Sequence, residues 1–194
     1  MRKLYCFDLD GTLTTRDTML SFLSYYNPRR FRYQFVRHLP LFLWMKFRPA
    51  ETERVKRSLV KSVLKNERKE VLEERAQSFF DEVGKGLIRP AALNFIRDLD
   101  EESHGVLVSA SIDLWVKPFA YFLGLDAICT KALYVNHRFA GDFVTANCKG
   151  DEKVKRILEE IDVAKYDKII AFGDTAGDAA MLKWADESYF RYFH

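Results

Sequence analysis

Leu4, Tyr5, Cys6 and Phe7 form an unbroken apolar run that ends on Asp8, Leu9, Asp10, Gly11 and Thr12. Such a run has the length of a buried strand. Beyond Thr15 the spacing becomes helical. Asp17-Thr18 can cap a helix starting near Met19, with Phe22, Leu23, Tyr25 and Tyr26 as its apolar face and Asn27-Pro28 as its break. Val55, Leu59, Val63 and Leu64 mark another helix. Val71, Leu72, Ala76, Phe79 and Phe80 mark the next, and Gly84 and Gly86 close the block.

From Pro90 onward, short apolar runs alternate with helical ones. The pattern predicts a helix from Pro90 to Leu99, with Ala92, Leu93, Ile96 and Leu99 inward and Phe95 at the edge. Strand Val106–Val108, helix Leu114–Leu123 closed by Gly124, and strand Ala127–Cys129 follow. Leu133 to Val144 reads as a hairpin containing Gly141. A helix from Glu152 to Ile161 would bury Val154, Ile157, Leu158 and Ile161. Strand Ile169–Phe172, helix Asp178–Trp184 and an edge strand Tyr189–Tyr192 complete the chain. Alternation of this kind predicts an α/β fold: a doubly wound, mostly parallel sheet. Residues 1–15 and 87–194 would build it, with 16–86 as a small all-helical cap.

With 194 residues, 48% of them apolar, the chain can bury a real core. A formal charge of +3 is too small to argue for nucleic acid. Cys6, Cys129 and Cys148 lack the spacing of a disulfide framework or a zinc site, and are read as reduced thiols of a cytoplasmic protein. Asp8 follows Met1-Arg2-Lys3 too soon for an apolar signal segment. Charge becomes informative between Pro28 and Ala50, where no acidic residue occurs. Arg29, Arg30, Arg32, Arg37, Lys46 and Arg48 alternate there with Phe31, Tyr33, Phe35, Phe42, Trp44 and Phe47. Leu39 to Phe47 is too short to cross a bilayer. The composition suits an interfacial segment meeting an anionic membrane, peripherally at the inner membrane face. The alternative is that Leu41, Leu43, Trp44 and Phe47 are the cap's own core and the arginines are solvated.

The candidate chemistry lies at strand ends. Strand alternation would put Asp8 and Asp10 on one side, an oxygen-rich pair suited to magnesium, and Gly11 permits a sharp turn. Ser109, at the end of Val106–Val108, can donate to a phosphate oxygen, while Ser111 or Asp113 fits a helix cap. Lys149 and Lys153 are candidates for the cation near Asp8, with Lys153 favoured because a helix would fix it. Phe172-Gly173-Asp174 ends another strand, and Asp178 follows four residues on, where it could order the lysine or a metal-bound water.

DLDGTLT at Asp8–Thr14, VLVSAS at Val106–Ser111, the Lys149/Lys153 segment and GDTAGD at Gly173–Asp178 stand in the order of the four haloacid dehalogenase (HAD) superfamily motifs. The chain resembles that family's phosphoserine-phosphatase-like branch, with a helical insert between the first and second motifs. The resemblance implies Asp8 as nucleophile and Asp10 as general acid/base. It implies Mg2+ on Asp8, Asp10 and Asp174, with the backbone carbonyl serving at Asp10. It implies phosphate binding by Ser109, the lysine, Gly11 and Thr12. Asp17 matches the position of a substrate-contacting glutamate in the phosphoserine phosphatases, but its shorter side chain suits an N-cap better. The expected activity is hydrolysis of a phosphomonoester through an aspartyl-phosphate, on a phospholipid headgroup monoester or on a small soluble amino-alcohol phosphate. Transfer to an alcohol acceptor and a binding role without turnover are the other classes. The oligomeric state stays open.

Overall fold

The computed structural model describes residues 1–45 and 51–194. Lys46, Phe47, Arg48, Pro49 and Ala50, part of the basic aromatic stretch, lie outside the described residues.

β1 (Lys3–Phe7) is the middle strand of a five-stranded sheet. β2 (His104–Ile112) and β3 (Asp126–Thr130) lie to one side, β6 (Lys168–Gly173) and β7 (Glu187–Phe190) to the other. Every pairing in this sheet is parallel. Parallel strands need crossovers, and helices supply them on both faces. Leu4, Cys6, Val106, Val108 and Ala171 point to a layer formed by α7 (Asp151–Glu160) and α8 (Ala179–Trp184). Tyr5, Phe7, Leu107 and Phe172 point the opposite way, toward α5 (Pro90–Arg97) and α6 (Asp113–Leu123). There Phe7 and Phe172 stack at 5.0 Å, with Phe95 and Phe193 packed against Phe172.

Between β1 and α5 stand four helices: α1 (Thr18–Tyr26), α2 (Pro28–Met45), α3 (Thr52–Leu64) and α4 (Lys69–Glu82). Their apolar faces are continuous with the α5–α6 side of the sheet. Phe22 of α1 stacks on Trp115 at 5.3 Å, and Phe80 of α4 meets Phe119 at 4.9 Å. The hairpin of β4 (Ala132–Val135) and β5 (Arg138–Phe143) turns at Asn136-His137, both with positive φ. It is the hairpin the sequence predicts, and it forms a separate two-stranded sheet that packs on α3 and bridges Arg68 through Arg138.

Several helix faces differ from the periodic reading. α5 stops at Arg97, two residues early. Val71 is exposed on α4. On α7, Leu158 faces solvent and the inward positions are Lys153, Arg156 and Ile157. Val154, Ile157 and Ile161 do pack on the core as the periodicity predicts, but the two charged residues buried beside them are invisible to it. α2 is out of phase in the other direction. Phe31, Phe35 and Phe42 turn inward, whereas Leu41, Leu43 and Trp44, offered above as cap core, are exposed. All three cysteines are buried free thiols, and no described helix is long and apolar enough to cross a membrane.

Candidate active site

The site lies beyond the carboxyl ends of β1, β2 and β6, where ligands bind in open α/β sheets. β1 ends at Phe7, so strand alternation is not what orients the two aspartates. The Asp8 N–H still donates to the Phe172 carbonyl at 3.0 Å. Residues Leu9–Leu13 then form one wide turn, closed by Thr14 N–H donating to the Leu9 carbonyl at 3.0 Å. Gly11 has φ +90°, and a Cβ there would collide with the Asp174 carboxylate, so glycine serves both the turn and the close approach. Behind the turn, the Gly11 carbonyl accepts from Arg89 at 3.3 Å and pairs with His194 at 2.8 Å.

Lys153 reaches Asp8 from α7. Its Nζ donates to Asp8 Oδ1, Asp178 Oδ1 and the Val108 carbonyl, each at 2.7 Å. All three of its donors are therefore used, and the residue is 1% exposed. Lys149 is exposed and lies beside Gly177 at the edge of the site. Of the two lysines, only Lys153 touches Asp8 among the described residues.

Asp8, Asp174 and Asp178 bring carboxylate oxygens within 4.8 Å of one another. Thr12, expected to bind phosphate, places its hydroxyl 3.3 Å from both Asp8 Oδ2 and Asp174 Oδ1. Asp178 Oδ2 accepts from Thr175 N at 3.0 Å and from Thr175 Oγ1 at 2.9 Å, as half of a capping box. With Oδ1 on Lys153, Asp178 is committed to holding the lysine and the loop.

The Asp10 carboxylate stands outside this trio. Its Oδ1 accepts from Thr18 N at 2.6 Å, and its Oδ2 accepts from Ser111 Oγ at 2.5 Å. The Ser111 contact was not legible in the sequence, where Ser111 looked like a helix cap. In the fold Ile112 takes the cap position without a side-chain bond. The repeated serine in Ser109-Ala110-Ser111 was the available signal. Ser109 is buried, accepts from Ser111 N at 3.1 Å and lines the cavity. Asp17 caps α1 through Leu20 N at 3.0 Å, and its other oxygen takes Lys56 Nζ at 2.9 Å.

Burial pushes Asp8 up to about 7, although Lys153 pulls the other way. Burial, with Asp17 nearby, also raises Asp10. Asp174 is raised by burial and by Asp178. For Lys153, burial disfavours the charge, but Asp8 and Asp178 outweigh it and hold the ammonium protonated. In turn Lys153 keeps Asp178 below the usual carboxylate range against the effect of burial. Of the three clustered carboxylates, Asp8 and Asp178 share one ammonium and Asp174 does not touch it. The site opens into a cavity of about 500 Å³. The sheet contributes its acidic floor, and α3 contributes Thr52, Glu53, Lys56, Arg57 and Val60. Met19, Ile112, Trp115 and Phe143 make an apolar wall.

A parallel sheet with paired acids at two strand ends and a lysine between them defines a class of hydrolase. The sequence pattern of the haloacid dehalogenase-like hydrolase family matches residues 6–183, and the chain belongs to that family. It is 33% identical over 193 residues to Protein CicA of Caulobacter vibrioides, covering 98% of this chain and 86% of that one. A Bordetella pertussis Tohama I protein of unknown function superposes with TM-score 0.79 at 18% identity, over 97% of this chain and 89% of the other. A phosphoserine phosphatase solved as a phospho-aspartyl intermediate analogue gives TM-score 0.64 at 21% identity, over 96% and 85% of the two chains. At such identities the structural likeness is one of fold.

Proposed function

We propose that the protein hydrolyses a phosphomonoester through an aspartyl-phosphate on Asp8, with magnesium bound. The observation that carries this is Asp8 itself, at a strand end on the floor of the cavity with Oδ1 fixed 2.7 Å from Lys153. Asp8 and Asp174, with the Asp10 carbonyl, would hold the metal. The donor set fits a hard divalent cation, since the carboxylates of Asp8, Asp174 and Asp178 outnumber the single ammonium. When bound, magnesium supplies positive charge against the phosphoryl oxygens.

Lys153 opposes the protonation that burial favours at Asp8 and holds the carboxylate in one orientation. An Asp8 oxygen attacks phosphorus in line, and the bond from phosphorus to the leaving oxygen breaks. Asp10 gives its proton to that oxygen, then takes one from the water that splits the aspartyl-phosphate. Inorganic phosphate leaves and Asp8 is restored. Ser109 and the backbone N–H groups after β2 serve the phosphoryl oxygens.

The substrate we favour is a phospholipid headgroup monoester. Its support is the apolar wall of Met19, Val60, Ile112, Trp115 and Phe143. Trp115 in that wall is itself buried, and its indole N–H has no partner among the described residues. Both Asp17 oxygens are engaged, by Leu20 N and Lys56, which argues against docking a substrate amine there. The test is phosphate release from phosphatidylglycerophosphate, lysophosphatidate, phosphoserine and p-nitrophenyl phosphate, with magnesium and with EDTA. Magnesium-dependent release from the lipids is expected. Efficient turnover of phosphoserine alone would discard the lipid reading, and added alcohols that divert the phosphoryl group would make the protein a transferase.

A further inference from the structure

α2 has two unlike faces. The inner one carries Phe31, Phe35, Phe42 and buried His38, whose ring pairs with Gln34 O at 2.7 Å and with Ser58 Oγ of α3 at 3.0 Å. The outer one carries Tyr33, Val36, Leu43 and Trp44 at 61%, 67%, 54% and 45% exposure. Arg29, Arg32 and Arg37 are exposed among them. No residue of α2 is acidic, and among the described residues none from α2 lines the catalytic cavity. Contiguous exposed apolar surface marks an interaction site more often than a solvated face.

We propose that this outer face docks on an anionic lipid bilayer. Aromatic and aliphatic side chains rimmed by arginine suit the headgroup boundary, where insertion and charge attraction add. A second copy fits poorly, because an α2-to-α2 contact would bring two sets of arginines together with no carboxylate on either face. Nucleic acid would pair with the arginines but leave Val36, Leu43 and Trp44 unused.

The helix also has a direction. Arg30 Nε donates to the Ser62 carbonyl at 2.9 Å, and His38 meets Ser58, so α2 and α3 run antiparallel. The apolar end of α2 therefore lies alongside the amino end of α3, from which Thr52, Glu53 and Lys56 line the cavity. Docking brings that end of the cavity toward the lipid surface. The docking itself does not rest on the catalytic reading; only the use made of this orientation does.

The test is sedimentation of the purified protein with vesicles of phosphatidylglycerol and phosphatidylcholine, against phosphatidylcholine alone. Binding to the anionic vesicles at low salt, and its loss at high salt, are expected. Arg29→Gln, Arg32→Gln and Arg37→Gln together should weaken partition about a hundredfold or more. Val36→Asp with Leu43→Asp should abolish it. The thermal midpoint of each variant, measured without lipid, should match the parent. The proposal falls if the parent does not bind, if the variants bind as well as the parent, or if phosphatidylcholine alone binds equally. It also falls if Val36→Asp dissolves a dimer, or if duplex DNA binds as tightly as the vesicles. Phosphate release from p-nitrophenyl phosphate is scored separately, so failed docking and failed hydrolysis give distinct results.

Discussion

Helices α7 and α2 break the usual distribution of residues in opposite ways. α7 turns Lys153 and Arg156 inward, at 1% and 3% exposure, while its Leu158 faces water. α2 turns three phenylalanines inward but leaves Tyr33, Val36, Leu43 and Trp44 outside. A buried cation is costly unless it is paired and hydrogen-bonded. Lys153 meets that condition with three acceptors, and Arg156 with the Cys129 carbonyl and Glu160. The apolar outer face of α2 has no counterpart within the described residues. Both are departures from the burial rule, but in one the partner is inside the molecule, and in the other the docking proposed above would supply it from outside.

The sharpest way to break this contrast is at α7. Asp8→Asn should lower kcat by at least about a thousandfold, as loss of a nucleophile does, while a far-UV spectrum like the parent's shows the fold intact. Full activity would remove Asp8 from its role. Lys153→Met should cost about 3–5 kcal/mol in urea denaturation, because Asp8 and Asp178 stay buried without their cation. A cost under about 1 kcal/mol would mean that water reaches the pair and that α7 holds no special burial.

Asp10→Asn comes next, with an expected loss of about 10²–10⁴-fold in kcat. Ser111→Ala should cost less, about tenfold, because Thr18 N still holds the other Asp10 oxygen at 2.6 Å. That loss should come with a shifted pH profile, which Ser111→Thr restores. An unchanged profile would reduce Ser111 to packing.

The strand ends were legible because their signal is local. Asp8, Asp10 and Asp174 each follow an apolar run, and the chemistry of adjacent residues survives any detail of packing. On α7 the motif context picked out Lys153 as the cation for Asp8, but apolar patterning did not show that it or Arg156 is buried. Lys153 and Arg156 look solvated until tertiary partners from β1, β2, β3 and the Asp174–Asp178 loop surround them. The α2 face failed for a related reason. Its apolar residues occupy almost every angle around the helix, so periodicity could not choose between Phe35 and Val36 as the inward neighbour. The Ser111–Asp10 bond spans 101 positions in the chain and leaves no local trace.

Titration gives a further test of the cluster. In the metal-free fold Asp8 is raised to about 7 from 3.8. The folded state therefore binds its proton more tightly than the unfolded chain does. Its contribution to stability is fully present below 3.8 and is lost as pH rises through about 7. Asp178, held low by Lys153 against burial, stays charged across that window. Metal-free protein should thus lose stability between pH 5 and pH 8, and magnesium should restore more at pH 8. Asp8→Asn should flatten that slope. A parent and variant with parallel slopes would place the titration elsewhere.

The smallest expected effect is on the outer face of α2. Val36 is 67% exposed, so Val36→Ser removes little buried apolar area, and the two residues differ little in helix propensity. Its stability should stay within about 0.5 kcal/mol of the parent, the range of ordinary surface positions. Phe35, one residue away, packs between Phe31 and Phe42 with ring centroids 5.4 Å from each. Phe35→Ala should cost distinctly more, toward the lower part of the about 3–5 kcal/mol seen for aromatic truncation in full cores, since Phe35 is only partly buried. Urea midpoints of the two variants measure the difference between the faces directly. If Val36→Ser cost as much as Phe35→Ala, the outer face would be packed in solution, and α2 would have no free apolar surface to offer a membrane.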